Sequence, residues 1–343
     1  MKRSDPAAER YARVQAAMAR HGVGALCLAT PHLAAFASGA RRVQVAGSGG
    51  TMPWVVVAAG APSAVVFTTD PDGVPPWMPR DAVQPLSWDR DRQVARIVAL
   101  VGATRGAVAC DVLAPPLRAA LAGRTLVDAA PLLAEAAAPR AASELAAIGR
   151  ALAGARAGLR AAVAAVLPGA TRADVHARFA EAMSGSGAGF PLGEPTLRRA
   201  GSPVEVEAAL RAGDLVTLEV GVWVEGHAGA AGDTVACGGG DLAGPRRAWR
   251  EALCAVAKRC RAGTPVRELR AAAARAGARP EGLLAHGLGV GIEPPLVGAE
   301  EDDDGESIRA GTVLVLGPTV GPFRAMRALV VTERSYRWLE PSP

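Results

Sequence analysis

GDLVTLEVGVWVEGHAGAAGDTVACGG, residues 213–239, is the stretch whose reading decides the fold. It opens on Gly213-Asp214, a turn signal. Residues 215–224 are a run of β-branched and aliphatic side chains that predicts a long strand. Gly226 and Gly229 then predict a tight turn and a returning strand. Glu219 is the oddity in this run, because Leu218 and Val220 beside it are apolar. Taking a carboxylate into a sheet is costly unless it is paired. Two readings stand: a strand-edge glutamate that reaches water, or a carboxylate retained for chemistry.

The segment resembles the central hairpin of the pita-bread family, which includes methionine aminopeptidase, aminopeptidase P, prolidase and creatinase. That family reads Gly-Asp-Leu-Val, then Asp-x-Gly, Gly-Tyr and Asp-x-Thr-Arg-Thr. Gly213-Asp214-Leu215-Val216 matches, Glu219-Val220-Gly221 stands for Asp-x-Gly, and Gly226-His227 stands for Gly-Tyr. Without a gap, the second Asp of the family falls on Ala230, and Gly229 and Thr234 fall into place. A gapped alternative puts Asp233 there at the expense of a three-residue insertion.

Composition sets the outer bounds. With 343 residues the chain has length for two domains with substantial cores. Half of the residues are hydrophobic and 21% are charged, as in water-soluble globular proteins. No apolar run approaches the roughly 18 residues of a membrane span, and residues 1–18 lack the apolar core of a signal peptide. The expectation is a cytoplasmic protein with no membrane partner. The five cysteines are scattered and form no CxxC, so neither a zinc knuckle nor a disulfide framework is expected. The net charge of +5 is carried almost wholly by arginine, lysine occurring only at Lys2 and Lys258. The basic residues are dispersed and aromatics are few, which excludes the basic face of a nucleic-acid binder.

In chain order, residues 6–20 predict an amphipathic helix stopped by His21-Gly22, and residues 23–30 a strand. Further strands are expected at 52–58, 64–69 and 106–110, and a helix at 93–101. This alternation indicates an α/β domain, and its order resembles the N-terminal domain of creatinase, aminopeptidase P and prolidase. The boundary is expected at Pro139-Arg140, giving domains 1–139 and 140–343, the second an α+β pita-bread domain by resemblance. Ser143 is the expected N-cap of a helix running to about Val166, and Thr171 the cap of the next. Helices at 246–260 and 266–276 and strands at 312–316 and 328–332 complete the reading. The acidic run at 300–306 reads as a solvated loop, lacking the spaced oxygens of a calcium loop.

The family holds two metal ions with two Asp, one His and two Glu. On the resemblance, the first position is Glu219 and the second Ala230. The third is His286, in His286-Gly287-Leu288-Gly289, which matches the family's His-Gly-x-Gly. Its flanking glycines allow close backbone approach, as a pocket wall requires. The second family histidine falls at Glu293; a one-residue deletion would instead align Glu293 with the next family glutamate. The fourth ligand falls at Gly317 and the fifth at Met326, and a further family histidine falls at Ser202. One intact ligand and one near match cannot hold a dinuclear centre.

The resemblance therefore implies a pita-bread fold with no metal and no other cofactor. Glu219 and His286 are the expected catalytic residues, an acid–base pair acting on a small molecule. His227, Asp233, Glu293, Arg324 and Arg327 are candidate substrate-binding residues, since an arginine can grip a carboxylate bidentately. Creatinase, which cleaves a carbon–nitrogen bond without metal, is the precedent, although Ser202 argues against a close copy of its reaction. Hydrolysis, elimination, isomerisation and cyclisation all stay open. The second reading is a non-catalytic binding or scaffold protein on a peptidase fold. By resemblance the chain is expected to form a homodimer.

Overall fold

The computed structural model describes residues 5–40, 53–185, 190–224, 226–298 and 306–340. The chain divides into two compact units, Met1–Ala137 and Ala138–Pro343. The break falls beside the Pro139-Arg140 dipeptide. The acidic run at 300–306 lies outside the described residues except for Glu306.

The first unit is an α/β layer structure. Helix Pro6–Arg20 begins where Asp5 accepts a hydrogen bond from the Ala7 N–H at 2.8 Å, with proline in its first turn. Six strands form one mixed sheet in the order Val83–Pro85, Val65–Thr68, Trp54–Ala58, Val23–Leu28, Ala107–Cys110, Leu126–Asp128. Val23–Leu28 is buried along its whole length, as its unbroken apolar run requires of a central strand. It pairs antiparallel with Trp54–Ala58 and parallel with Ala107–Cys110. The apolar stretch ending at Ser38 is a short helix, Pro31–Ser38, closed by Gly39 at φ +73°.

The second unit is α+β. Its long helix is Ala142–Ala164, and here the capping expectation needs correction. Ser143 lies inside the first turn; the Glu144 carboxylate accepts instead from the Ala141 N–H at 2.9 Å. Thr171 does cap the helix Arg172–Gly185, exchanging hydrogen bonds with Asp174. Leu215–Val224 and His227–Ala236 form a regular antiparallel hairpin, and Gly226 at φ +77° turns the chain between them. Val216, Leu218, Val220 and Val222 are buried in a core shared with the helical layer, while Thr217, Glu219 and Gly221 alternate with them, half-buried. The Ala- and Gly-rich helix Ala142–Ala164 packs across this hairpin. At Gly229 an added Cβ would run into the Ala151 carbonyl, so only glycine permits that approach.

The hairpin belongs to a four-stranded sheet with Phe190–Pro191 and Thr196–Arg199. A second, five-stranded sheet runs Ile292–Val297, Ala285–Leu288, Val313–Leu316, Arg327–Val331, Tyr336–Trp338. All described strand pairs of this unit are antiparallel. Backbone bonds join the two sheets: the Ala228 N–H donates to the Gly289 carbonyl at 2.7 Å and the Met326 N–H to the Gly232 carbonyl at 3.1 Å. These junctions bring the non-core face of the hairpin against the strands that carry His286 and Arg324.

Candidate active site

A cavity of about 670 Å³ opens on that face. Strand pleat decides what enters it. Directly opposed residues of antiparallel strands share a face. Thr217 opposes Thr234, Glu219 opposes Gly232, and Gly221 opposes Ala230. On the other side Thr196 opposes Glu219 and Arg198 opposes Thr217. Thr196, Arg198, Thr217 and Glu219 all line the cavity.

Arg324 reaches this row from the short strand Phe323–Arg324 and is its electrostatic centre. Its Nε donates to Glu219 Oε1 at 2.6 Å. Its Nη2 donates to the Leu283 carbonyl at 2.9 Å, and Nη1 to the Gly317 carbonyl and to Thr319 Oγ1. Four hydrogen bonds leave little of the fork for a ligand. Its backbone is also held, since the Arg324 N–H donates to Thr234 Oγ1 at 3.0 Å. The buried Thr234 hydroxyl in turn lies 2.8 Å from the Arg324 carbonyl and 2.9 Å from Thr217 Oγ1.

His286 enters from the strand Ala285–Leu288, which lies between two neighbours in the five-stranded sheet. It is 6% exposed. Nδ1 lies 2.9 Å from the Gly287 carbonyl. A carbonyl only accepts, so Nδ1 carries the proton and Nε2 keeps its lone pair. Burial pushes the imidazole pKa below its ordinary 6.5, outweighing the Gly287 hydrogen bond and the Glu219 charge, which act upward. The ring is therefore neutral at pH 7. Glu219, His286 and Arg324 share one cavity.

Ser202 and Met326 also line this cavity, whereas the other candidate substrate-binding residues, His227, Asp233, Glu293 and Arg327, are engaged elsewhere and are not among those lining it. Asp233 opposes Leu218, off the Glu219 face, and binds Arg246 at 3.1 Å. The gapped alignment would therefore set its second acid on the wrong side of the strand. Glu293 forms a buried ion pair with Arg140 and accepts from the Val290 N–H at 2.8 Å. It braces the turn between Ala285–Leu288 and Ile292–Val297. Arg327 lies over the Trp249 ring, 5.5 Å from its centroid, and donates to the Met326 carbonyl. His227 is buried at the hairpin turn, opposite Val224.

The metal positions of the family can now be tested by their donors. Ala230 shares the face of Glu219 but has no ligand atom. A Cβ at Gly317 would lie 3.1 Å from Arg324 Nη2, so the guanidinium occupies the room of a side chain there. Met326 lines the cavity and offers only a thioether. Among the described residues no group of three or more His, Cys, Asp or Glu could hold a metal ion. The donor set does not fit a dinuclear centre. Arg198, Thr217, Thr234 and Thr319 were missed in the sequence. The signal for Thr217 was available, for it stands two residues before Glu219 and hence on the same face.

Comparison with known proteins agrees with this architecture. Residues 146–334 match the model of metallopeptidase family M24. A search of curated proteins finds no match. Among solved structures, dipeptidase PepE from Mycobacterium ulcerans is 22% identical with a TM-score of 0.75, covering 98% of this chain and 96% of its own. The X-Pro aminopeptidase from Thermotoga maritima MSB8 is 14% identical with a TM-score of 0.77, covering 97% and 98%. The prolidase from Thermococcus sibiricus is 14% identical with a TM-score of 0.78, covering 99% and 98%. At these identities the likeness is one of fold.

Proposed function

Because this chain belongs to metallopeptidase family M24 while no group of three or more His, Cys, Asp or Glu among its described residues could hold a metal ion, we propose that it is a metal-independent enzyme acting on a small molecule by proton transfer. The observation that carries this reading is His286. Its buried, neutral ring keeps Nε2 as a proton acceptor in a cavity that also holds a carboxylate. Glu219, held in register by Arg324, supplies fixed negative charge next to the reacting atoms. His286 takes a proton from substrate, and the imidazolium so formed is stabilised by the Glu219 carboxylate before the proton is returned. That cycle serves carbon–nitrogen hydrolysis of the creatinase kind, elimination, isomerisation or cyclisation.

The test is a mass-change screen of small carboxylates and dipeptides, with wild type set against Glu219→Gln and His286→Ala. General acid–base groups contribute about 10²–10⁴-fold in rate, and each variant is expected to lose that much on any substrate found. The double variant should lose little more, because groups that act as a unit are not additive. A chelator should leave wild-type turnover unchanged, and elemental analysis should find no stoichiometric Mn, Zn, Fe or Co. One or two tightly held metals per chain would sink the metal-free reading.

One observation favours the non-catalytic alternative. The Glu219 carboxylate is already tied to Arg324, as it would be in a purely structural pair. Folded single variants with turnover equal to wild type would decide for that alternative. The homodimer carried over by resemblance is tested by light scattering at micromolar concentration, where a monomer would refute it.

A further inference from the structure

Arg198 stands apart from the other arginines of the cavity. Arg324 is paired with Glu219, and Arg199 with Asp214. Arg279, next to the cavity wall, is paired with Glu281 at 3.2 Å. Arg198 forms no ion pair among the described residues: Glu205, which opposes it across an antiparallel bridge, is paired with Arg172. Its Nε is buried and without a hydrogen-bond partner. The strand Thr196–Arg199 fixes where the side chain goes: Leu197 is fully buried in the core, so Arg198 lies on the opposite face, beside Thr217 and towards Glu219. A buried donor that has left water and found no acceptor is unfavourable unless something supplies one.

We propose that Arg198 is the substrate-anchoring residue of this site and that the substrate carries a single carboxylate. The proposal rests on the cavity being the substrate site. The charge balance sets the class. Three arginines are already matched with three carboxylates, which leaves one positive charge facing the cavity. A monoanion neutralises it, whereas a phosphate monoester at neutral pH would bring close to two charges to one cation. A planar carboxylate also suits the guanidinium fork. Ile292, 52% exposed, and Pro322 line the same cavity and offer apolar surface for the body of the molecule. Arg324, expected from the sequence to grip a ligand, is saturated by protein acceptors and instead positions Glu219.

The experiment uses three probes with one apolar body: phenylacetate, phenylacetamide and phenyl phosphate. Binding to the full-length protein is followed by ligand-observed NMR and calorimetry at neutral pH. Wild type should favour phenylacetate over the neutral amide by about 10- to 100-fold, the worth of a charge-assisted hydrogen bond. Arg198→Gln should erase that preference, and Arg198→Lys should keep part of it. The proposal is overturned if Arg198→Gln retains the preference or if phenylacetate does not bind wild type at millimolar concentration. Tighter binding of phenyl phosphate would overturn the monoanion assignment. Binding is read without turnover, so the two proposals fail separately. Carboxylate binding lost in Arg198→Gln, in a protein that converts nothing, would leave the anchor and remove the enzyme.

Discussion

Two arginine–glutamate pairs in the second unit have opposite characters. Arg324–Glu219 lies in the cavity, its side chains 15% and 20% exposed, and the arginine is spread over four hydrogen bonds. Arg140–Glu293 lies behind the His286 strand at 3% and 8% exposure. There Arg140 Nε and Nη1 are buried without partners, so Glu293 carries almost the whole compensation for the charge. By resemblance Glu219 stands at a metal-ligand position of the family, and Glu293 at its second histidine or, with a one-residue deletion, at its next glutamate. The first lines the cavity, and the second is tied to Arg140 and to the turn that follows the His286 strand. The lesson is that an acidic residue at a family site position does not reveal its role until its partners are counted.

The largest effect that would separate the two pairs is on stability. Glu293→Gln leaves Arg140 charged, buried and nearly unpartnered, and should cost about 3–5 kcal/mol in denaturant unfolding. Glu219→Gln leaves Arg324 with its three remaining acceptors and should cost about 1–2 kcal/mol, while removing turnover. If Glu219→Gln proves the more damaging to the fold, the contrast is reversed and the cavity pair is structural. Thr234→Val sharpens the cavity side. It keeps the shape of a fully buried side chain but strips the hydroxyl that links Thr217 with the Arg324 backbone. A loss of about 1–3 kcal/mol, together with weakened turnover, is expected; a loss of stability alone would mean that Arg324 does not depend on Thr234 for its placement.

The smallest effect is in pH dependence. Burial holds the His286 pKa below 6.5, so the unfolded chain takes up this proton first. The stability due to the neutral ring is complete above about pH 6.5 and is lost as pH falls from there to the folded-state pKa. Thermal unfolding of wild type should therefore weaken across that window more than that of His286→Asn. Equal slopes would show that His286 titrates as freely in the folded protein as in the unfolded chain.

Much of the fold was legible because strands and helices announce themselves by period. The strand Leu215–Val224 and the helix Pro6–Arg20 were read at their observed limits, and the returning strand was expected after Gly226 without stated limits. The strand Ala285–Leu288 was not, because a four-residue stretch of alanine, histidine, glycine and leucine carries little strand propensity of its own. Its place comes from pairing on both sides. The cavity was legible only in part. Glu219 and His286 stood out as polar groups in apolar or glycine-rich surroundings, which is a local signal. Asp233, Glu293 and Arg327 looked equally available, and their engagement with Arg246, Arg140 and Trp249 is settled by side chains that local sequence does not bring together. Arg198 was passed over for the converse reason: one arginine among many gives no sign that, of those lining the cavity, it is the one without an ion pair among the described residues.

The alternation along the hairpin has a consequence for how such a protein changes over time. Val216, Leu218, Val220 and Val222 hold the sheet to its helical layer, while positions 217, 219 and 221, with 230, 232 and 234 opposite, lie on the other face, where Thr217 and Glu219 line the cavity. Reactivity and foldability are therefore written on alternate letters of the same strand. An acid can give way to Ala230 on one set without leaving a void in the other. A lineage can thus abandon one catalytic apparatus and try another while the scaffold stays above its threshold of stability, and the hairpin offers that freedom one residue in two.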